Sequence, residues 1–276
     1  MFELPEYINL AKQMNATLKG KTIQSGNLGN SPHKFVWYNR SQAEFASLTQ
    51  GKTIGKAEVK GRWLFIPLEP AYILLFGECG GKISFHAAGS KLPQKYHLFL
   101  TFTDGSFLTA TTQMWGAMEL YEQGDELQRE YVKDMRPTPS DPEFTFAYFN
   151  DLVDESVIQK KRSAKSLLTQ EQIIPGLGNA IAQDILFKAR LHPRHPISEL
   201  DGEQRTELFA AVKNTVNEII DQGGRYDEFD LYGQKGGYKR IMDKNALKQP
   251  CPNCGGEIQK IQYLGGACYL CPNCQQ

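Results

Sequence analysis

No stretch of this 276-residue chain approaches the roughly eighteen consecutive apolar residues that a membrane-spanning helix needs. Its first residues also lack the basic, then apolar, order of a secretory leader, because Glu3 and Glu6 stand there instead. A soluble, cytoplasmic protein with no membrane partner is therefore expected. Net charge is missing too: 31 Lys and Arg balance 31 Asp and Glu, which excludes a protein that grips polyanions with its whole surface. No internal repeat is present, so a repeat architecture is excluded. Cysteine is nearly absent from the first 250 residues, where Cys79 stands alone. Without a leader, a disulfide framework is not expected.

What is present is ordinary globular material, 41% hydrophobic and 22% charged, in a chain long enough for two or three domains. Charge is segregated along it. From Glu119 to Glu155 eleven acidic residues face three basic ones, whereas "QKKRSAK" at 159–165 and "YGQKGGYKRIMDK" at 232–244 are locally basic. Each basic run also fits a solvated face.

Leu4, Ile8, Ala11, Met14 and Leu18 recur at helical spacing, with Pro5 near the first turn and Gly20 as a stop. From Lys52 to about Leu120 the pattern shifts to short strands such as "WLFIPL", "YILLF" and "HLFLTF", with Asp104-Gly105 marking a tight hairpin. Three prolines in "RPTPSDP" break both periods and place a linker around 130–142. Helical segments follow: "FTFAYFNDLV", "AKSLLTQEQI", "GNAIAQDILFKARL" and "DGEQRTELFAAVKNTVNEIIDQGG". The expected fold is α+β and multidomain. An N-terminal helix and antiparallel β-sandwich occupy 1–135, a helical domain 136–247, and a cysteine-rich segment 248–276.

"CPNCGGEIQKIQYLGGACYLCPNC" carries two Cys-x-x-Cys turns sixteen residues apart. That spacing fits a zinc ribbon in which Cys251, Cys254, Cys271 and Cys274 hold one tetrahedral ion. Four thiolates leave no open position, so the zinc is structural, and a segment this short needs it to fold. Cys268 and Cys79 are expected to be ordinary buried cysteines. The other local signal is "IIPGLGNAIAQDILFKARLHP", a Gly-x-Gly-Asn turn entering an amphipathic helix. Asn179 fits the N-cap, and a helix N-terminus behind a glycine turn suits a phosphate, although such turns are also common as plain structure.

In their order, these features resemble the formamidopyrimidine-DNA glycosylase and endonuclease VIII family over essentially the whole chain. The most specific matches are "ELPE" at 3–6, "LLTQEQIIPGLGNAIAQDILFKARLHP" at 167–193 and the terminal finger. The resemblance implies a helix-two-turn-helix domain, double-stranded DNA as partner and association with the nucleoid. It also implies excision of oxidised bases from a flipped nucleotide through a terminal amine that forms a Schiff base, followed by strand cleavage. It assigns catalysis to Met1, Glu3 and Glu6, and DNA binding to Arg62, Trp115, Lys165, Gly178 and Asn179. A monomer is expected.

The departures are specific. Phe2 stands where the family has its nucleophilic proline, and a bulky second residue predicts that Met1 is retained. Arg62 replaces the family's lysine. Gly266 occupies the place of the finger arginine that contacts phosphate, and Glu78 that of an apolar filler of the DNA stack. "TTQMWG" puts Gln113, Met114 and Trp115 where basic residues and an aromatic wedge are usual; Trp115 fits a wedge or an interior position. The expectation is a glycosylase with altered chemistry. The alternative is a non-catalytic binder of damaged or bent DNA that keeps the scaffold.

Overall fold

The computed structural model describes residues 1–29, 35–159 and 161–276. Lys160 of the basic run 159–165 lies outside the described residues. The chain forms two compact units, Met1–Met135 with Gln222–Gly237, and Arg136–Asp221 with Tyr238–Gln276. Segment 222–237, expected within the helical domain, thus clusters with the N-terminal unit, and the cysteine-rich segment clusters with the helices.

The first unit opens with helix α1 (Leu4–Thr17), whose Tyr7, Leu10, Ala11 and Met14 are buried at the three- and four-residue spacing of one helix face. The chain then runs through β1 (Ile23–Leu28), β2 (Val36–Trp37), α2 (Gln42–Thr49), β3 (Thr53–Ile54), β4 (Glu58–Lys60), β5 (Trp63–Glu69) and β6 (Tyr72–Gly77). It continues with β7 (Gly81–His86), β8 (Leu98–Phe102), β9 (Phe107–Thr112), β10 (Gly116–Glu122) and the short α3 (Glu130–Lys133). One sheet has the order β1-β8-β9-β7; the other has the order β2-β10-β6-β5-β3, with β4 also on β5. Every described pairing is antiparallel except β10 with β2.

Period-two alternation explains how β5 serves two cores. Leu64, Ile66 and Leu68 enter the main cluster with Leu100, Phe102 and the α1 face, while Trp63 and Phe65 join Ile73, Leu75 and Val132 on the opposite side. The expected hairpin joins β8 to β9, with Asp104 accepting from the Ser106 amide at 3.0 Å.

The second unit holds α4 (Phe146–Gln159), α5 (Ala164–Thr169), α6 (Asn179–Lys188), α7 (Gly202–Asp221) and a hairpin of β11 (Gln259–Tyr263) and β12 (Gly266–Leu270). Buried Asp184 on α6 accepts from the Met242 and Ile241 amides at 2.7 and 3.0 Å and from the Tyr238 hydroxyl at 2.8 Å. That carboxylate pins the segment leading into the cysteine ribbon. Among the described residues no helix is long and apolar enough to cross a membrane.

Candidate active site

Phe2 sets the geometry of the N-terminus. Its ring is fully buried edge-on to Tyr7, with centroids 5.7 Å apart, and its amide donates to the Cys79 carbonyl at 2.9 Å. The nitrogen in the proline's place is therefore a peptide nitrogen, already hydrogen-bonded. The amine lies one residue further out, on Met1.

Met1 is held at two points. Its amine donates to Glu228 Oε1 at 2.6 Å, and its carbonyl accepts from Arg225 Nη2 at 2.8 Å. Arg225 is 2% exposed and forks onto Glu6, with Nε to Oε1 at 3.0 Å and Nη2 to Oε2 at 2.9 Å; its amide also donates to Glu6 Oε1. Glu3 lies 3.8 Å from the same guanidinium and Glu228 3.6 Å. Burial disfavours the Arg225 charge, but Glu6, Glu3 and Glu228 outweigh it and its pKa is raised. Burial pushes the Glu228 carboxyl up, against the pull of the amine and Arg225. Glu6, which also accepts from the Glu3 amide at 2.9 Å, spends both oxygens fixing the terminus.

Met1 lines a cavity of about 690 Å³ together with Trp37, Trp63, Trp115, Arg62, Glu78 and Arg129. All three tryptophans of the chain are in that wall. Trp115 is 41% exposed and stacks on Trp37 with centroids 5.3 Å apart and an interplanar angle of 6°, so the wedge position is an exposed aromatic pair rather than core. Arg129 lies 4.0 Å over the Trp63 ring and bonds Glu119 at 2.6 Å. Arg62 pairs with Glu78 at 2.9 Å, so its charge is already partnered. Glu78 itself sits in the left-handed region at φ 53°, and burial raises its carboxyl pKa.

In the second unit, Gly178 rather than Asn179 caps α6, and Gly176 before it takes φ 93°. Asn179 is the first helical residue; its side chain is exposed and donates to the Ala267 carbonyl at 3.3 Å. Gly266, where the family has arginine, lies against it: a Cβ there would stand 3.2 Å from Asn179 Oδ1. Lys165, expected among the DNA-binding residues, is buried, donating to the Tyr263 carbonyl at 2.7 Å and lying 3.2 Å from Cys268 Sγ. It ties α5 to the hairpin.

The sulfurs of Cys251, Cys254, Cys271 and Cys274 all lie within 4.8 Å of one another, with closest pairs of 3.8 and 3.5 Å. A zinc with four bonds of about 2.3 Å has sulfurs about 3.8 Å apart, so the set fits one structural zinc.

Sequence reasoning missed Arg225 and Glu228. Their only local signal is an Arg and a Glu three apart after Gly223-Gly224, and nothing in it points to Glu6, 219 positions away.

Known proteins are similar to this chain along its length. The formamidopyrimidine-DNA glycosylase N-terminal domain matches residues 1–118, and the H2TH domain of the same enzymes matches 135–229. The formamidopyrimidine-DNA glycosylase of Bacillus subtilis is 29% identical over 284 residues, covering all of this chain and 99% of that protein. The Bacillus anthracis protein of the same name is 26% identical over 279 residues, with the same coverage. In structure, Lactococcus lactis Fpg bound to N7-benzyl-Fapy-dG DNA superposes with a TM-score of 0.86 at 24% identity, over 99% of both chains. The Lactococcus lactis Fpg complex with abasic-site DNA gives 0.85 at 23%, again over 99% of each. Matched in both its domains and aligned end to end with such relatives, the chain belongs to the formamidopyrimidine-DNA glycosylase and endonuclease VIII family.

Proposed function

We propose that this protein is a monomeric DNA glycosylase of base-excision repair, acting on double-stranded DNA, with the amine of Met1 in the role that the family gives to proline. The observation that carries this reading is the fixation of Met1 through its amine and its carbonyl at the wall of the aromatic cavity. Loss of the proline moves the amine outward by up to about 3.8 Å, a displacement that defeats catalysis unless the new position is itself held. Here it is held. A primary α-amine is chemically able to open a glycosidic bond and form the Schiff base that precedes strand cleavage.

In this reading Glu3 manages protons at the sugar, while Glu6 and Arg225 anchor the terminus. Asn179, at the start of α6, offers a phosphate contact, and Trp115 with Trp37 offers a stacking surface for an unpaired base. The zinc supplies no chemistry; it closes the ribbon that carries the β11–β12 hairpin. A pure binder has no use for a terminal amine fixed at two points.

Base release from duplexes carrying oxidised purines or oxidised pyrimidines tests the reading. Release by the intact protein, abolished in Glu3→Gln with duplex affinity retained, is the expected result. No release from any of these duplexes would leave the non-catalytic binder in its place.

A further inference from the structure

The amine of Met1 has a partner that the sequence resemblance does not name, Glu228. Three carboxylates, Glu3, Glu6 and Glu228, gather around two cations, Arg225 and the Met1 ammonium. Glu6 is committed to Arg225 through both oxygens, and Glu3 accepts from the Glu6 amide and lies 3.8 Å from the guanidinium. Glu228 is placed directly on the amine, at 2.6 Å.

The loop that delivers it is built tightly. A side chain on Gly236 would collide with the Gly224 carbonyl oxygen at 2.1 Å, so the segment carrying Arg225 and Glu228 closes only with glycine there. Arg225 then bridges the loop to Met1 and Glu6 from a position almost without solvent.

We propose that Glu228 is the proton shuttle of the Met1 amine and that Arg225 positions both groups. This rests on the reading of Met1 as nucleophile, and it supplies the step which that reading lacks. An α-amine in water titrates near pH 7.7–8.0, so at pH 6 only on the order of one per cent carries a free lone pair. A carboxylate in direct contact favours the ammonium at rest, but it is placed to take the proton as the lone pair engages carbon, without transfer to solvent.

On an abasic sugar the step runs as follows. The Met1 ammonium passes one proton to the Glu228 carboxylate, and the freed lone pair bonds to C1′ of the aldehyde. The carbonyl π pair moves onto oxygen, which takes a second proton from nitrogen to give a carbinolamine. Glu228 returns its proton to that hydroxyl, which leaves as water while the nitrogen lone pair forms the C=N bond. The products are an iminium, a carboxylate and water, so charge and protons balance. The groups facing Glu228 are the Met1 ammonium, Arg225 and Glu6. Its carboxyl, raised by burial, is matched better to an amine than a solvated glutamate would be.

The test needs no DNA. The Met1 amine is methylated with formaldehyde and cyanoborohydride between pH 6 and 9, and its rate is read from the mass of the N-terminal peptide in wild type, Glu228→Gln and Glu228→Asp. The wild-type rate is expected to change little between pH 6 and 8. Glu228→Gln is expected to match it near pH 9 and to be about tenfold slower or more at pH 6, because an unassisted amine reacts only as its free base, whose share falls about tenfold for each pH unit in acid. Glu228→Asp, which keeps the carboxylate, is expected to retain part of the acid-side rate and carries the test should the Gln variant not fold. A Glu228→Gln profile parallel to wild type overturns the proposal. So does a variant faster at every pH, which would make Glu228 a mask on the amine. The expected methylation profile without any adduct on abasic duplex would uphold the proton transfer and overturn the nucleophile reading.

Discussion

The cysteine ribbon and the cluster around Met1 each rest on a handful of polar side chains, but they are assembled in opposite ways. The four ribbon ligands fall between residues 251 and 274 and announce themselves by spacing. The Met1 cluster joins residues 219 and 227 positions apart through a buried arginine. In the ribbon one bound ion supplies the folding energy of a short segment. In the cluster, each charge is tolerable only while the others remain. A local motif can therefore be lost and regained with its metal, whereas the terminal cluster fails as a set when one member goes.

The largest effect that would test this contrast is zinc removal. Structural zinc in ribbons of this kind is worth roughly 10–16 kcal/mol in apparent binding free energy, so chelation is expected to unfold residues 251–275. Hydrogen exchange should show those amides losing protection while β5, β6 and β9 keep theirs. Retained protection in the ribbon after complete chelation would break the comparison.

Next in size is Arg225→Met. It leaves buried Glu6 beside half-buried Glu228 without their shared cation, a loss of about 3–5 kcal/mol. Urea unfolding measures it. Adding Glu6→Gln to that variant is expected to recover part of the loss, because one of the stranded charges is then gone. A pair of losses that simply add would show that Glu6 and Arg225 do not act together.

These two regions also mark what the sequence makes legible. Spacing alone points to Cys251, Cys254, Cys271 and Cys274, and the alternation of "WLFIPL" and "YILLF" to the sandwich, because metal chelation and strand burial are periodic and local. Arg225 and Glu228 have no such period. Their meaning comes from a loop that returns to the first unit after α7, which is also why 222–237 was expected among the helices. The burial of Lys165 is hidden for a related reason: within "QKKRSAK" it looks like surface charge, and only the fold shows its ammonium inside, on the Tyr263 carbonyl. Phe2 was legible as an obstacle but not as an anchor, since burial against Tyr7 is a tertiary fact.

A smaller effect is expected at Asn179. Asn179→Ala removes a candidate hydrogen bond to a charged phosphate, worth about 1.5–3 kcal/mol. Titrations against several duplexes should show a similar loss in all of them, with affinity falling as salt rises. A loss confined to one sequence would mean that Asn179 reads bases instead.

The smallest effect is expected from Gly266→Arg, which puts back the family's side chain. Because its Cβ would press on Asn179 Oδ1 at 3.2 Å, the gain of charge is offset by displacement of the asparagine, and duplex affinity should change by less than about 1 kcal/mol. A clear gain in binding would show that this hairpin adjusts freely.

Borohydride trapping on a duplex with an abasic site, followed by mass mapping of the adduct, reaches the central claim most directly. A reduced adduct on the α-nitrogen of Met1, in protein whose N-terminal sequence begins Met-Phe-Glu, is the expected result. An adduct on a lysine, or none under conditions where the duplex is bound, would contradict the assignment of the amine as nucleophile.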